Sequence, residues 1–310
     1  MTESTFDILV AGEINPDLIL SGDVNPSFGQ AEKLIDSADL TIGSSSVIFA
    51  CGAARLGLKV GFFGLCGDDL FGKFMLNEMT IRGVDISNIL MVSGQKTGIS
   101  IILSKGTDRA ILTYPGLIPN LSANLVTDDL LKKFRHLHIA SYFLQTSLQP
   151  GLPDLFSRAY SLGLTTSLDP NWDPSQKWKG FQNLLNQVDV FLPNENEVKS
   201  ITGEDNLDLA CQQLSRSEKI IAIKLGEDGA IATKEGKLAR LPSLPMEVVD
   251  TVGAGDSFDA GFLYGFLKGW DLEISLKLAI TCGSLSTRAS GGTSAQPTLD
   301  QAMDYVTSIN

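Results

Sequence analysis

The sequence predicts an α/β protein of three layers, with helices over both faces of a mainly parallel central sheet and a small β-sheet attached as a lid. Two observations carry this. Short apolar runs of strand length alternate with segments whose apolar residues recur at helical spacing along most of the 310 residues. An early pair of strands breaks that rhythm, and no Pro/Gly/Ser-rich linker, repeat or low-complexity tract divides the chain. One domain over 1–310 follows, with the lid drawn from about 13–45 and 92–118. A composition of 43% hydrophobic and 19% charged residues fits a globular protein with a sizeable core.

In order, FDILVAG (6–12) reads as a buried strand, VIFACGAARLGL (47–58) as a helix and KVGFFGLCG (59–67) as the next strand. DDLFGKFMLNEMTIRG (68–83) has helical spacing, best explained by core packing, and ends on Gly83, a suitable C-terminal glycine. TGISIILSK (97–105) and RAILTY (109–114), joined by the polar turn GTD, form an antiparallel hairpin. From HLHIASYF (136–143) the order is regular: the helix LPDLFSRAYSLG, the strands LTTSLDPN and VDVFLPN, the helix LDLACQQLS and the strand KIIAIKLG. A second hairpin, AIATKEGKLARLP (230–242), precedes VVDTVGAGDSFDAGFLYGFL (248–267), and LEISLKLAITCGSLSTRAS (272–290) is helical.

The formal net charge is −12. Such a surface repels nucleic acid and anionic lipid, so neither is expected as a partner. An anionic substrate would have to be met by local dipoles or a few placed cations. Cys51, Cys66, Cys211 and Cys282 are scattered without a CxxC pair, as expected of reduced core cysteines in a cytoplasmic protein. The acidic N-terminus has an apolar run too short for a signal peptide or a membrane span. The two histidines, His136 and His138, alternate along a strand without metal spacing and are expected to be structural.

The chemistry concentrates after Val248. Read as a strand ending at VVD and a helix beginning at SFDAGF, the segment places Gly253, Ala254, Gly255 and Asp256 where ligands bind in parallel α/β sheets. The glycines permit a tight turn and leave N–H groups unshielded, and a helix amino terminus favours an anion such as phosphate. Asp256 can serve as an acidic N-cap. It can also accept a proton from a hydroxyl attacking a bound phosphoryl group.

DTVGAGDSFDAGF resembles the C-terminal signature of the ribokinase-like (PfkB) family of carbohydrate kinases, and the resemblance runs along nearly the whole chain. VAGEINPDLIL resembles the family's opening strand, GSSSVIFACGAARLG its Gly-Gly segment and helix, CGDDLFG its G-D-D-x-x-G, PNENE its N-x-x-E, and IKLGEDGA the strand and loop bordering the nucleotide. The resemblance implies a Rossmann-like three-layer α/β/α fold with a β lid, a sugar substrate, ATP and Mg2+, and in several members a monovalent cation such as K+. It implies that Asp256 is the catalytic base and that Gly253, Ala254 and Gly255 form the anion hole. Asn15, Asp17, Gly43, Ser44, Ser45 and Asp169 then fall at substrate positions, and Asn194, Lys224, Gly226 and Gly229 at nucleotide positions. Glu197 with Asn194 falls at magnesium positions. Asp250, Val252, Ser286 and Gly291 fall around the monovalent cation.

The chain departs from the family where Ser44 replaces a glycine and Ile48 an asparagine, which leaves the sugar open and the phosphoryl-transfer residues intact. Other roles compete. Asn15 and Asp17 suit a turn after the first strand. Ser44–Ser46 suit a helix cap. Asn194 and Glu197 suit a strand-end turn and a first-turn carboxylate. Asp169 and Asn171, in the loop DPNWDPSQKW, suit either structure or substrate. Arg109 suits a solvated hairpin charge, or a contact to an acidic or phosphorylated substrate.

A nucleoside kinase of the same fold, with Ile48 and Phe49 in a base slot, is the first alternative. A non-catalytic sugar-binding regulator would be expected to lose Asp256 or the anion-hole glycines, and both are present. A nicotinamide oxidoreductase lacks its glycine-rich turn after the first strand and is excluded. An exposed edge of the lid hairpin could pair with a second copy to give a homodimer.

Overall fold

The computed structural model describes residues 5–105, 108–180, 182–214 and 219–307. Most of the GTD turn, at Gly106 and Thr107, lies outside the described residues. The first half of the chain carries β1 (Ile8–Ala11), β2 (Pro16–Ser21), β3 (Ser37–Ile42), α1 (Ser45–Arg55), β4 (Val60–Phe63), β5 (Leu65–Gly67), α2 (Leu70–Ile81), β6 (Leu90–Val92), β7 (Ile99–Lys105), β8 (Asp108–Tyr114), α3 (Asp128–Leu131) and β9 (His136–Ile139). The second half carries α4 (Leu152–Ser161), β10 (Thr165–Leu168), α5 (Gln182–Leu185), β11 (Val190–Phe191), α6 (Glu195–Thr202), α7 (Leu207–Leu214), β12 (Ile220–Lys224), β13 (Ala230–Lys234), β14 (Lys237–Leu241), α8 (Ala254–Leu267), α9 (Leu272–Ser286) and α10 (Leu299–Val306).

The central sheet has eight strands in the order β14-β13-β12-β11-β10-β9-β1-β4. It is parallel from β12 to β4, and the β12–β13 and β13–β14 pairs are antiparallel. Alternate side chains of β1 enter different cores, as the two-residue period of a strand requires. Ile8 and Val10 join α1, α2, α8, α9 and α10 on one face, while Leu9 and Ala11 join α4, α6 and α7 on the other. Both faces are covered, which is why these strands read as continuous apolar runs rather than as alternating ones.

The second sheet, β3-β2-β7-β8, stands over the carboxyl ends of the central strands. One of its transverse rows, Asp17–Ser100–Thr113, lines a cavity. The neighbouring row, Leu40–Leu18–Ile101–Leu112, is on the opposite face and is wholly apolar.

Two expectations fail in instructive ways. KVGFFGLCG is two strands, because the chain breaks at Gly64; β4 pairs with β1, while β5 leaves to pair with β6. A Cβ at Gly64 would stand 2.6 Å from the Gly12 carbonyl oxygen, so the break depends on glycine. VVD is not a strand. Val248 and Val249 are exposed, and the amides of Val249 and Asp250 donate to the Thr287 carbonyl beyond α9. Among the described residues the β-branched run has no neighbouring strand to pair with, so its propensity is overridden.

Helix α8 packs against α9 through glycines. A Cβ at Gly261 would stand 2.8 Å from the Leu278 carbonyl oxygen and 2.9 Å from Ala279 Cα. Gly261→Leu should therefore push α8 off α9, at a cost of about 1–3 kcal/mol or more. Thermal denaturation checks this; an unchanged Tm would contradict the packing described.

Candidate active site

The carboxyl edge of the central sheet gathers the polar side chains. β1 leads to Glu13, Asn15 and Asp17, β9 to Ser141, β10 to Asp169 and Asn171, β11 to Asn194 and Glu197, and β12 ends at Lys224. Helix α8 points its amino terminus into this edge. Gly253, not Asp256, occupies the N-cap position, with a left-handed φ of 72° and no side-chain cap. A Cβ there would meet Gly292 Cα at 2.6 Å and the Ile48 side chain at 2.9 Å, so both conformation and space require glycine. Asp256 is the third helical residue, and its carboxyl is buried.

Two cavities meet at this helix end. One, of about 660 Å³, lies under the second sheet and is lined by Asn15, Asp17, Ser45, Arg109, Gly253 and Asp256 among others. The other, of about 580 Å³, is lined by Lys224, Gly226, Gly229, Ala254, Gly255 and the Ser243–Met246 segment. Consecutive residues of one helical turn thus face different cavities. Ala254 N–H donates to the Thr251 carbonyl at 3.3 Å, whereas the Gly255 and Asp256 amides have no acceptor within their own helix, so the wall between the cavities can take an anion.

Behind that wall lies a buried ion cluster. Lys224 Nζ is 2.8 Å from Asp169 Oδ2 and 3.1 Å from both Asp259 oxygens. Burial would strip the ammonium of its proton, but Asp169, Asp259 and Glu197 outweigh it and hold the group well above its ordinary range. Burial likewise opposes the charge on Asp169, and Lys224 overcomes it. Asp256 is pushed well above the ordinary carboxyl range, first by burial and then by Asp169. Asp169, Asp256 and Asp259 stand close enough together to ligate one cation. Lys224 already supplies positive charge to two of them. Asp169 therefore does not border the larger cavity; its Oδ1 accepts the Asn171 N–H, and Asn171 borders it instead.

Residues expected around a substrate are otherwise brought together. Asn15 Nδ2 is 3.5 Å from Asp17 Oδ1 and 3.4 Å from Ser100 Oγ. A Cβ on Gly43 would fall on the Asp17 carboxyl, which explains the glycine. Ser44 caps α1 by accepting Val47 N–H, and Ser45 Oγ accepts Asn171 Nδ2 at 3.1 Å. Arg109 borders the cavity, with Nη1 3.5 Å from Thr251 Oγ1, so it turns toward the site rather than only to solvent. Sequence reasoning missed three residues here. Glu13, Asp259 and Trp172 lie within segments singled out above but were given no role; an acidic residue in an otherwise apolar strand end and an acidic residue inside an apolar helix were the available signals.

Other expected residues lie further out. Asn194 and Glu197 form a capping box on α6, and Glu197 borders the larger cavity. Burial and Asp169 raise the Glu197 carboxyl to about 7. Asp250 clips two loops together, accepting Val252 N–H at 3.0 Å and Gly291 N–H at 2.9 Å. Ser286 borders neither cavity, and its hydroxyl donates to the Gly283 carbonyl. Asp69, in CGDDLFG, caps α2 and accepts from Thr97. His136 and His138 are buried against Ser167, His136 also against Thr165, and burial lowers their pKa values, as structural residues require.

The model of the pfkB family of carbohydrate kinases matches residues 47–299. The chain belongs to that family. It is 29% identical to 5-dehydro-2-deoxygluconokinase of Geobacillus thermodenitrificans, over 86% of this chain and 85% of the relative. It is 28% identical to the ATP-dependent ribose-1-phosphate kinase of Halopiger xanaduensis, over 96% and 97%. An E. coli protein described as ribokinase II, solved with ATP and Mg2+, superposes with a TM-score of 0.87 at 22% identity, covering 98% of this chain and 99% of that one. The carbohydrate kinase thus has a ribokinase fold with a mainly parallel central sheet, and among the described residues no helix is long and apolar enough to cross a membrane.

Within this carbohydrate kinase Asp17 has a measurable signature. Burial raises its pKa from 3.8 to about 7, against the lowering effect of Arg109. A raised folded pKa means the folded state binds more protons between those values, so Asp17 lowers stability as pH rises from about 4 to 7, with no further loss above. Asp17→Asn removes this slope. The Tm of the variant relative to wild type should climb between pH 4 and pH 7 and then level. A difference independent of pH would contradict the burial of this carboxyl.

Proposed function

We propose that this pfkB-family kinase transfers the γ-phosphoryl group of ATP to a hydroxyl, most simply a primary alcohol, of a small sugar or sugar derivative. The observation that carries this reading is the α8 amino terminus, where Asp256 faces one cavity and Gly255 the other. The smaller cavity suits a nucleotide: Gly226 and Gly229 take positive φ values of 61° and 90°, and Leu244, Pro245 and Met246 offer an apolar wall for a base. The larger cavity suits a polyol, with hydroxyl, amide and carboxyl groups on several sides.

In this reading the acceptor hydroxyl lies against Asp256, which takes its proton as the oxygen attacks phosphorus. A carboxyl whose proton affinity is raised by burial is a stronger base than an ordinary aspartate. The bond to the leaving oxygen of ADP breaks as the new P–O bond forms, and the Gly253, Gly255 and Asp256 amides face the charge on the moving phosphoryl group, the Ala254 amide being taken by the Thr251 carbonyl. The sheet bearing Asp17 and Ser100 acts as a lid that excludes water, which would otherwise consume ATP. The chain is accordingly read as one domain, 1–310, with that lid.

The residues present fit the implied ions. Magnesium keeps several waters and takes one or two carboxylates with phosphate oxygens. Glu197, steadied by Asn194 at 2.7 Å and 2.8 Å, presents one carboxyl to the cavity that Asp256 borders. When bound, magnesium supplies positive charge to the triphosphate. Asp250 draws together the Val252 and Gly291 loops, so backbone oxygens near Val252, Ser286 and Gly291 could join its carboxyl around a potassium-like ion.

Arg109 at the cavity rim supports an acidic or phosphorylated sugar, the kind of acceptor that the names of the relatives indicate. A nucleoside is the second reading, favoured by Ile48 and the half-exposed Trp172 on the same cavity; Phe49, expected in that base slot, is instead buried and stacked on His138. A sugar-binding regulator without activity is disfavoured by the retained Asp256. The apolar outer row of the lid supports a homodimer through that face. Buried unpaired cysteines and the use of ATP support a cytoplasmic location.

ADP release with Mg-ATP, measured over sugars, sugar acids, sugar phosphates, polyols and nucleosides, tests the proposal. One acceptor class should turn over, and Asp256→Asn should lower kcat by about 10²–10⁴-fold. Turnover by the variant within threefold of wild type would remove Asp256 from the chemistry.

A further inference from the structure

We infer that Glu13 is a specificity-determining positioning residue, which holds the wall of the acceptor cavity in an otherwise unfavourable backbone shape. The inference rests on the kinase reading for its assay and on geometry for its argument. Glu13 follows β1 and is almost fully buried at the floor of the larger cavity. Its Oε1 lies 2.9 Å from Ser44 Oγ and 2.9 Å from Ser141 Oγ, and it accepts the Ser46 N–H at 3.2 Å. Its Oε2 accepts Ser46 Oγ at 2.5 Å. One side chain thus ties the start of α1 to the loop after β9.

The residues it ties, and the one they touch next, share an uncommon conformation. Ser44, Ser141 and Asn171 have φ values of 67°, 52° and 52°. Non-glycine residues rarely occupy this region and stay there only when surrounding bonds fix them. Glu13 bonds two of the three directly. The third is bound through Ser141, whose N–H donates to Asn171 Oδ1 at 2.6 Å. Asn171 Nδ2 then donates to Ser45 Oγ, and Ser45 borders the larger cavity together with Asp256, whose proton affinity it lowers. The network therefore runs from Glu13 through the cavity wall to the group in contact with the acceptor.

This accounts for the run Ser44-Ser45-Ser46. Ser44 and Ser46 turn their hydroxyls onto Glu13, and Ser44, Ser45 and Asn171 line the cavity. Gly12 is held to glycine by the same arrangement, since a Cβ there would fall on Ser46 Oγ. Hydrogen bonds to a carboxylate are roughly twice as strong as those to a neutral amide. Replacing Glu13 by glutamine keeps the volume but weakens the ties and turns an acceptor into a donor facing Ser46.

Glu13→Gln should raise KM for the acceptor by about tenfold or more, with KM for ATP and kcat within threefold of wild type. Glu13→Ala should raise it further; circular dichroism and Tm establish that either variant is folded. The glutamine variant is the decisive one if the alanine variant does not fold. An unchanged acceptor KM would overturn the inference, as would kcat and both KM values shifting together, the mark of a merely structural loss. Failure of the kinase reading would show separately, as absent turnover in the wild-type protein. Calorimetric binding of D-ribose, D-gluconate and adenosine without ATP then reads the same tenfold loss, and equal affinities in wild type and Glu13→Gln overturn the inference.

Discussion

The buried ammonium group of Lys224 is the constraint on which the site depends. It ends β12, meets Asp169 from β10, and meets Asp259 on α8, so one charge joins two strands and a helix. Desolvating a charge is costly, and removing one partner of a buried pair typically costs about 3–5 kcal/mol because the other is left uncompensated. The cluster thus fixes how far α8 reaches into the sheet edge. That depth sets where Gly253, Gly255 and Asp256 stand between the two cavities.

The remaining architecture serves the same wall from other sides. Gly261 and Gly265 let α8 press onto α9, and Gly253 lets its first turn press onto Gly292 and Ile48. Asp250 holds the preceding turn against the Gly291 loop. Over the larger cavity the second sheet contributes Asp17, Ser100 and Arg109, while Glu13 fixes the floor. Small residues where backbones touch and buried carboxyls where loops meet recur throughout. Raised proton affinities on Asp17, Glu197 and Asp256 follow from that burial.

Much of this was legible in the sequence because it rests on short-range rules. Alternating strands and helices, covered on both faces, gave continuous apolar runs that read directly as a parallel sheet. The Gly253–Asp256 segment stood out because its composition suits a helix start at a ligand edge. What could not be read depended on partners distant in sequence. VVD has strand propensity and no strand beside it. Gly253 takes the N-cap position assigned to Asp256, because left-handed backbone is needed where the loop meets Gly292. Asp169 looked like a substrate residue until Lys224, 55 positions away, was seen to claim its carboxyl. Glu13 gave only the signal of an acidic residue at an apolar strand end, since its four side-chain contacts come from Ser44, Ser46 and Ser141.

The central claim is that Asp256 acts as a base across the wall between the cavities, so that phosphoryl passes directly from nucleotide to acceptor. The stereochemical course at phosphorus tests this most directly. ATP made chiral at the γ-phosphorus with sulfur and oxygen isotopes is turned over with the acceptor found by the substrate panel, and the configuration of the product is determined. A single in-line displacement predicts inversion. Retention would require two displacements through a covalent phosphoenzyme, with Asp256 or another side chain as nucleophile, and would contradict the account.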